Sequence, residues 1–208
     1  FTLACAHRLK HITQGARSLS MIRTLDLFFA VTGLIALSPL ILIVFCACLV
    51  DSKSPIVTQT RVGRYSRPFT IIKFRTMHVG TNSLGTHLVP DSSVTSVGRI
   101  LRKFKLDELP QLINVARGEM SLVGPRPCLL NQSELIALRE SKGILNLRPG
   151  ITGLPQILGI DMSEPAKLVE WEVRMRDQMT TFKYFQYILL TALGRGIGDK
   201  TIQNHPEG

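Results

Sequence analysis

Residues 27–50 read LFFAVTGLIALSPLILIVFCACLV and contain no charged side chain. A straight helix of this length would span roughly 36 Å at about 1.5 Å per residue, enough to cross a hydrocarbon core of about 30 Å. Core helices of soluble proteins usually keep a polar stripe, which this run lacks. The run is also too long for a secretory signal, and no small-residue cleavage site follows it. We therefore predict a membrane segment here.

The dipeptide Ser38-Pro39 interrupts the middle of this segment. Proline deletes one backbone hydrogen bond, and a neighbouring serine can satisfy the carbonyl that is freed. Two arrangements stay open: a kinked helix that spans the bilayer, or a re-entrant helix–break–helix that enters and leaves on the same side. Both flanks are basic, which favours re-entry because basic residues prefer the cytoplasmic side. The flanking cations are Arg8, Lys10, Arg17 and Arg23 before the segment and Lys53, Arg61, Arg64, Arg67, Lys73 and Arg75 after it.

The charge balance limits the classes of partner. The chain of 208 residues carries 25 lysines and arginines against 15 acidic residues, a formal net charge of +10. This suits nucleic acid, an anionic membrane surface or phosphorylated substrates. Aromatic residues make up only 6% of the chain, which weakens a single-strand binder with stacking platforms, so we expect no nucleic-acid partner. The four cysteines and five histidines show no metal-site spacing, and we expect reduced or buried thiols.

The membrane segment divides the chain. Met21 resembles a natural chain start, so residues 1–20 are expected to be a leader or an added segment. Residues 21–50 form the predicted anchor. Residues 51–200 form a domain on the cytoplasmic face, long enough for one hydrophobic core, and residues 201–208 form a tail.

Beyond the anchor, the sequence predicts an α+β domain that is mostly helical. Two short runs separated by a turn with glycine and proline indicate a hairpin and hence a small sheet. A polar stretch at 79–93 indicates a loop. In the helix that follows, Ile100, Leu101 and Phe104 share one face, so this amphipathic helix packs on a core or lies on the membrane interface. The predicted strands are 56–60 and 69–75, and the predicted helices are 96–105, 107–116, 167–179 and 182–193.

Two adjacent carboxylates, Asp107 and Glu108, follow a cationic run. Carboxylates bind metal cations or act as nucleophiles, and arginines bind phosphate, so the combination suits chemistry on a phosphate ester. Asp107 also fits the N-cap of the helix at 107–116, with Pro110 in its first turn. A helix N-terminus keeps a carboxylate ionised and attracts phosphate, so a structural cap and a catalytic carboxylate both stay open. The cations before the pair are Arg99, Arg102, Lys103 and Lys105.

Two rigid turns carry one arginine each. Arg126 lies in Gly124-Pro125-Arg126-Pro127, and Arg148 begins Arg148-Pro149-Gly150-Ile151-Thr152-Gly153. Proline and glycine fix the backbone, so each arginine is held with little entropy to lose. A solvated arginine in an ordinary loop is the alternative, but two such turns favour phosphate contacts.

Seven motifs follow one another between about Met21 and Lys200. They are Met21-Ile22-Arg23-x-x-Asp26, the apolar run with Ser38-Pro39, Gln59-x-Arg61-x-Gly63, Lys73-Phe74-Arg75-Thr76-Met77, Leu106-Asp107-Glu108-Leu109-Pro110-Gln111, Gly118-x-Met120-Ser121-Leu122-Val123-Gly124-Pro125-Arg126-Pro127 and Arg148-Pro149-Gly150-Ile151-Thr152-Gly153. Each motif alone is modest, but seven in this order are highly specific. Together they resemble the bacterial sugar transferases, the monotopic polyprenyl-phosphate phosphoglycosyl transferases, in their minimal catalytic form.

The resemblance implies transfer of a sugar-1-phosphate from a nucleotide-sugar donor, usually a UDP-sugar, to undecaprenyl phosphate, with release of UMP. The product starts glycan assembly at the bacterial inner membrane, with the catalytic domain on the cytoplasmic face. In the family the aspartate of the pair is the nucleophile and forms a phosphosugar–enzyme intermediate, and the glutamate helps hold Mg²⁺. These roles fall on Asp107 and Glu108, and the re-entrant break falls on Ser38 and Pro39. The cations expected to contact the phosphates or nucleotide are Lys73, Arg75, Arg99, Arg102, Arg126 and Arg148.

Some residues depart from the family's pattern, among them Thr58 and Leu154-Pro155. The departures leave the identity of the sugar open, and the sequence leaves the oligomeric state open. The main rival is a membrane-anchored protein that binds anionic lipid or nucleotide without catalysis. In that protein Asp107 would only cap a helix, and no UMP would be released.

Overall fold

The computed structural model describes residues 21–80 and 93–194. Within them the protein is α+β and mostly helical, as predicted. The helices are α1 (Met21–Ala36), α2 (Ser38–Ser52), α3 (Ser96–Lys103), α4 (Gln111–Arg117), α5 (Ser133–Ser141), α6 (Leu154–Leu158), α7 (Pro165–Asp177) and α8 (Thr181–Ala192), and the strands are β1 (Ile56–Val62), β2 (Pro68–Phe74), β3 (Ser121–Val123) and β4 (Gly150–Thr152). The expected leader, the expected tail and most of the loop predicted at 79–93 lie outside the described residues.

The predicted hairpin is confirmed. β1 and β2 pair antiparallel, with Ile56 opposite Phe74 and Val62 opposite Pro68. β3 and β4 form a separate parallel pair that the sequence did not predict. Each of these strands has only three residues, too few for an alternating pattern to stand out.

α1 and α2 meet at a bend of 65°. The hydroxyl of Ser38 donates to the carbonyl oxygen of Ile35 at 2.8 Å, beside the point where Pro39 lacks an N–H. In the described part of the chain no single helix is long and apolar enough to cross a membrane, whereas α1 and α2 meet that test when joined. Both helices expose large apolar side chains; the most exposed are Ile35, Leu42, Ile43 and Val50.

Both halves of the bent pair also pack on the rest of the protein. Ala30 of α1 is buried in a cluster with Ile71 of β2 and with residues of and after α4. Val44 and Cys48 of α2 are buried in another cluster with Phe74 of β2. The two ends of the apolar segment are therefore joined to the same body.

α3 ends two residues before the predicted boundary, at Lys103. Of the three apolar residues predicted to share one face, only Leu101 is buried, whereas Ile100 and Phe104 are 59% and 62% exposed. A single apolar face therefore packs only partly on the core.

The helix predicted at 107–116 begins later, so the prediction of Asp107 as its N-cap was wrong. Lys105 adopts a left-handed conformation with φ of 55°, and residues 106–108 form a short 3-10 helix. α4 begins at Gln111, and Pro110 is the residue before it. Proline lacks the N–H that a helix start leaves unpaired, so it fits there without a side-chain cap.

Candidate active site

The carboxylate pair lies on the 3-10 turn Leu106–Glu108, between α3 and α4. The left-handed residue Lys105 reverses the chain after α3 and brings this turn against β2. Asp107 is buried, with 6% of its surface exposed. Its neighbours Leu106 and Leu109 pack against the apolar cluster that contains Cys48 of α2. The pair therefore lies where the body of the protein meets the end of the apolar helix pair.

Glu108 forms an ion pair with Lys73 of β2. The ammonium nitrogen lies 3.1 Å from Oε1, and the two side chains are 18% and 14% exposed. An ion pair this sheltered is less screened than one on the surface. Lys73, predicted from the sequence as a phosphate-binding cation, thus lies beside the carboxylate pair.

Asn114 fixes the position of α4 against β2. Its amide oxygen accepts from the N–H of Ile72 at 3.1 Å, and its amide nitrogen donates to the carbonyl of Thr70 at 2.8 Å. The side chain thereby satisfies the open edge of the hairpin, as a neighbouring strand would. Because α4 directly follows the carboxylate turn, this contact also sets Glu108 opposite Lys73.

The predicted cations of α3 differ in their surroundings. Arg102 donates from Nε to the hydroxyl of Thr76 at 2.9 Å, and its Nη1 is buried with no hydrogen-bond partner among the described residues. Such a group normally has a partner, protein or ligand. Arg99 is exposed on the same helix.

Arg75 has structural partners. Its guanidinium donates to the carbonyl of Ser54 at 2.8 Å, to the Ser54 hydroxyl at 3.2 Å and to the carbonyl of Ile56 at 3.4 Å. These contacts tie the end of β2 to the segment that leaves α2. Arg75 therefore fastens the apolar pair to the hairpin, next to the carboxylate site.

The two rigid turns lie side by side. The N–H of Gly124 donates to Thr152, and the N–H of Gly150 donates to Pro125. A Cβ on Gly150 would collide with the backbone of Gly124, so this backbone contact requires glycine. The sequence predicted two phosphate-binding turns but gave no sign that they pack together.

The backbone at Arg126 is fixed by a buried ion pair between two other residues. Arg139 of α5 donates to the Arg126 carbonyl at 2.9 Å and forms two hydrogen bonds with the carboxylate of Glu172 on α7. Both charged side chains are almost completely buried. Arg61 of β1 also donates to the turn, at the carbonyl of Pro127, at 3.4 Å.

Arg148 lies at the other end of α4 from the carboxylates. Its Nε donates at 2.9 Å to the carbonyl of Gly118, the residue that ends α4. A helix of seven residues is about 10 Å long. The predicted cations therefore lie in separate places, with Lys73 paired to Glu108 beside Asp107, Arg102 on the helix before that turn and Arg148 at the far end of α4.

This donor set suits chemistry on an anionic substrate. A buried carboxylate can act as a nucleophile, and the neighbouring lysine and arginine offer donors to phosphate. No group of three or more possible metal ligands occurs in the described ranges. Mg²⁺ is commonly held by one or two carboxylates together with substrate phosphates and waters, and Glu108 fits that pattern.

Sequence reasoning missed several residues that build the site. Asn114 is a polar residue inside the otherwise apolar stretch LINVA, and that was the available signal. Arg139 and Glu172 lie in helices that carry several other charged residues, so nothing marked them as a buried pair. Asp26 belongs to the first motif, but its structural role was not predicted; it is the only acidic residue in the segment 21–50. One of its oxygens accepts from Ser121, from the Leu122 N–H and from Tyr184, so α1 is tied to β3 and α8.

The thiols agree with the sequence prediction where they are described. Cys46, Cys48 and Cys128 are free, and the last two are buried. Burial raises the pKa of the Cys128 thiol, which keeps it protonated at neutral pH.

The model of the bacterial sugar transferase family matches residues 17–195. The chain is 36% identical over 170 residues to the uncharacterized sugar transferase EpsL of Bacillus subtilis, covering 81% of this chain and 84% of that protein. It is 41% identical over 143 residues to the UDP-glucose:undecaprenyl-phosphate glucose-1-phosphate transferase of Caulobacter vibrioides, covering 66% of this chain and 54% of that protein. It is 33% identical over 172 residues to the undecaprenyl-phosphate galactose phosphotransferase of Salmonella typhimurium, covering 73% of this chain and 36% of that protein.

Proposed function

This chain belongs to the bacterial sugar transferase family, and on that premise we propose that it transfers a sugar-1-phosphate from a UDP-sugar to undecaprenyl phosphate and releases UMP. The observation that carries the proposal is the buried Asp107 beside the Lys73–Glu108 ion pair, at the end of the apolar helix pair. The relatives in Caulobacter vibrioides and Salmonella typhimurium are named for reactions on undecaprenyl phosphate. The product would start the assembly of an extracellular polysaccharide or another glycoconjugate.

In the first step, a carboxylate oxygen of Asp107 attacks the donor phosphorus that carries the sugar. A bond forms between that oxygen and phosphorus, and the bond to the bridging oxygen breaks, so UMP leaves with the electron pair. In the second step, a phosphate oxygen of undecaprenyl phosphate attacks the same phosphorus and frees the carboxylate. A covalent intermediate lets one site serve a soluble donor first and a lipid acceptor afterwards.

The cations around Asp107 offset the charge of the donor. A carboxylate approaches a diphosphate only if nearby positive groups lower the repulsion. The buried Nη1 of Arg102 is a donor that a phosphate oxygen would satisfy, and Lys73 lies within reach of the same turn. Arg99 adds charge at the open side of α3, and Arg126 is the further candidate on its rigid turn.

Glu108 would hold Mg²⁺, with the donor phosphates and waters as the remaining ligands. The metal would neutralise charge on the transferred phosphoryl group and on the leaving group. Glu108 has a second oxygen besides the one that Lys73 contacts, so a metal ligand and an ion pair can share this side chain.

The apolar pair is proposed to enter and leave the bacterial inner membrane on the cytoplasmic side. Arg23 at the start of α1 donates to two carbonyls at the end of α4. At the end of α2, Cys48 and Ser54 contact Arg75. A spanning arrangement would separate these ends by about 30 Å, whereas both are attached to one small body, which supports re-entry.

The rival is an anchored protein that binds anionic lipid or nucleotide without catalysis. Incubation of the purified chain with polyprenyl phosphate, Mg²⁺ and a panel of UDP-sugars separates the two. Release of UMP with one or more of the sugars is the expected result. Binding of the same compounds without UMP release from any of them would favour the rival.

A further inference from the structure

Two arginines from distant parts of the sequence meet at the C-terminal end of α4, and a third contacts the segment that carries one of them. Arg23 comes from α1, Arg64 from the turn between β1 and β2, and Arg148 from the turn before β4. None of the three forms an ion pair with a carboxylate in the part of the chain that the structure describes. Like charges repel, so such a cluster needs a reason.

The arginines are held in place by backbone carbonyls. Arg23 donates to Val115 at 2.7 Å and to Ala116 at 3.1 Å. Arg148 donates to Gly118 at 2.9 Å, and a Cβ on that glycine would lie 3.3 Å from Nη2 of Arg23. The two guanidinium groups therefore lie on either side of one residue.

Arg64 completes the cluster from the hairpin turn. Its Nε donates at 2.8 Å to the carbonyl of Asn146, two residues before Arg148. Its guanidinium lies 4.5 Å from the centre of the Tyr65 ring, and that ring is 55% exposed. Tyr65 itself has a left-handed backbone, with φ of 58°, an uncommon conformation for a residue with a side chain.

The cluster is electrostatically unfavourable without an anion. Partial burial, then the charges of Arg64 and Arg23, lower the pKa of Arg148. Asp26 is the acid that opposes this effect, but its carboxylate already accepts three hydrogen bonds. Capping of a helix C-terminus explains the carbonyl contacts of Arg23 and Arg148. It does not explain why a third arginine, Arg64, lies beside them.

We infer that Arg23, Arg64 and Arg148 form a binding site for the phosphate of an anionic phospholipid headgroup, separate from the Asp107 site. The choice of a lipid rests on the membrane placement proposed above. The lipid-facing surface begins close to Arg23, because Leu27 and Phe28 of the same helix are 45% and 58% exposed. An exposed tyrosine such as Tyr65 is typical of the headgroup level, and guanidinium groups suit phosphate.

The donor's diphosphate is a poorer occupant. The phosphorus that reacts must lie against Asp107, at the opposite end of α4, about 10 Å away along the helix. The phosphate of the acceptor must reach the same phosphorus atom of the donor. A phosphate bound at the arginine cluster would therefore belong to neither substrate. It would hold the protein on the bilayer and take no part in the reaction.

The test is native mass spectrometry of the full chain in a non-ionic detergent. Dioleoylphosphatidylglycerol and dioleoylphosphatidylcholine are titrated separately, and retained lipid is counted. We expect the phosphatidylglycerol adduct to form at a concentration about tenfold lower than the phosphatidylcholine adduct, as expected of charge-assisted hydrogen bonds. The double variant Arg64→Gln/Arg148→Gln should remove this preference. The control Lys142→Gln/Lys167→Gln, which removes two exposed cations, should keep it.

Several outcomes would overturn the inference. Equal retention of the two lipids by the native chain is one, and an equal loss in the control variant is another. Displacement of the lipid by inorganic phosphate alone would make the cluster a site for free phosphate. Displacement by a UDP-sugar would assign it to the donor. Asp107→Asn should retain phosphatidylglycerol, so failure of the proposed reaction and failure of the lipid site are read separately.

Discussion

Lys73 and Glu108 form a half-buried ion pair, with 3.1 Å between the ammonium nitrogen and Oε1. Lys73 lies near the end of β2, and Glu108 belongs to the turn before α4. The pair is therefore a direct link between the hairpin and the turn that carries Asp107. It also gives Glu108 two competing partners, since a bound cation would meet the same carboxylate.

This competition predicts opposite effects of two substitutions on magnesium dependence. Glu108→Gln removes a carboxylate ligand, so the Mg²⁺ concentration for half-maximal UMP release should rise about tenfold or more. Lys73→Met removes the competing ammonium, so the same midpoint should fall. Lys142→Met, at an exposed lysine, is the control and should leave it unchanged. Identical midpoints in the native chain and all three variants would show that Glu108 is not a metal ligand.

Asp107→Asn should abolish turnover and leave the protein folded. Asp107 caps neither the 3-10 turn that contains it nor α4, and asparagine has nearly the same shape, so the melting temperature should change little. Loss of the nucleophile should lower the rate of UMP release by about three orders of magnitude or more. The control Asp51→Asn changes an exposed acid at the end of α2 and should stay active. More than a few per cent of residual activity in Asp107→Asn would show that Asp107 is not the nucleophile.

Asn114→Ala should destabilise the protein without touching the reacting groups. It leaves the N–H of Ile72 and the carbonyl of Thr70 unpaired, which costs about 2 kcal/mol in the free energy of unfolding. Denaturant unfolding in detergent measures this cost. Asn131→Ala, at an exposed asparagine, should stay within about 0.5 kcal/mol of the native chain. Equal stability of the two variants would mean that Asn114 does not hold α4 on β2.

Both ends of the apolar pair should be reachable only from the cytoplasm. Single cysteines at Met21 or at Asp51, both exposed, are introduced after the native cysteines are replaced by alanine. An impermeant thiol reagent should label neither site in intact cells and both after permeabilisation. Labelling of the Met21 site alone from outside would establish a spanning segment and contradict re-entry.

The sequence predicted the features that depend on local chemistry. The break at Ser38-Pro39 follows from the missing N–H of proline, and the hairpin follows from its strand-forming runs and its turn. The prediction of Asp107 as an N-cap failed because Lys105 adopts a left-handed conformation. Glycine or asparagine would have indicated that conformation, whereas lysine does not.

Contacts between distant segments could not be predicted in this way. Arg75 carries a charge that suits phosphate, yet its hydrogen bonds go to Ser54 and Ile56, because the fold places those carbonyls beside it. The packing of Gly124 on Gly150 and the pairing of Arg139 with Glu172 likewise depend on tertiary structure. The carboxylate pair was found from the sequence because Asp107 and Glu108 are adjacent in the chain and follow a cationic run.

The central claim is a phosphosugar intermediate on Asp107, and release of UMP without a lipid acceptor tests it most directly. The purified chain is mixed with Mg²⁺ and the UDP-sugar that it uses, and both UMP and the mass of the peptide containing Asp107 are measured. The account predicts about one equivalent of UMP per enzyme and a matching sugar-phosphate mass on that peptide. It predicts neither in Asp107→Asn. Strict dependence of UMP release on polyprenyl phosphate, with no modified peptide, would contradict the account and indicate direct transfer.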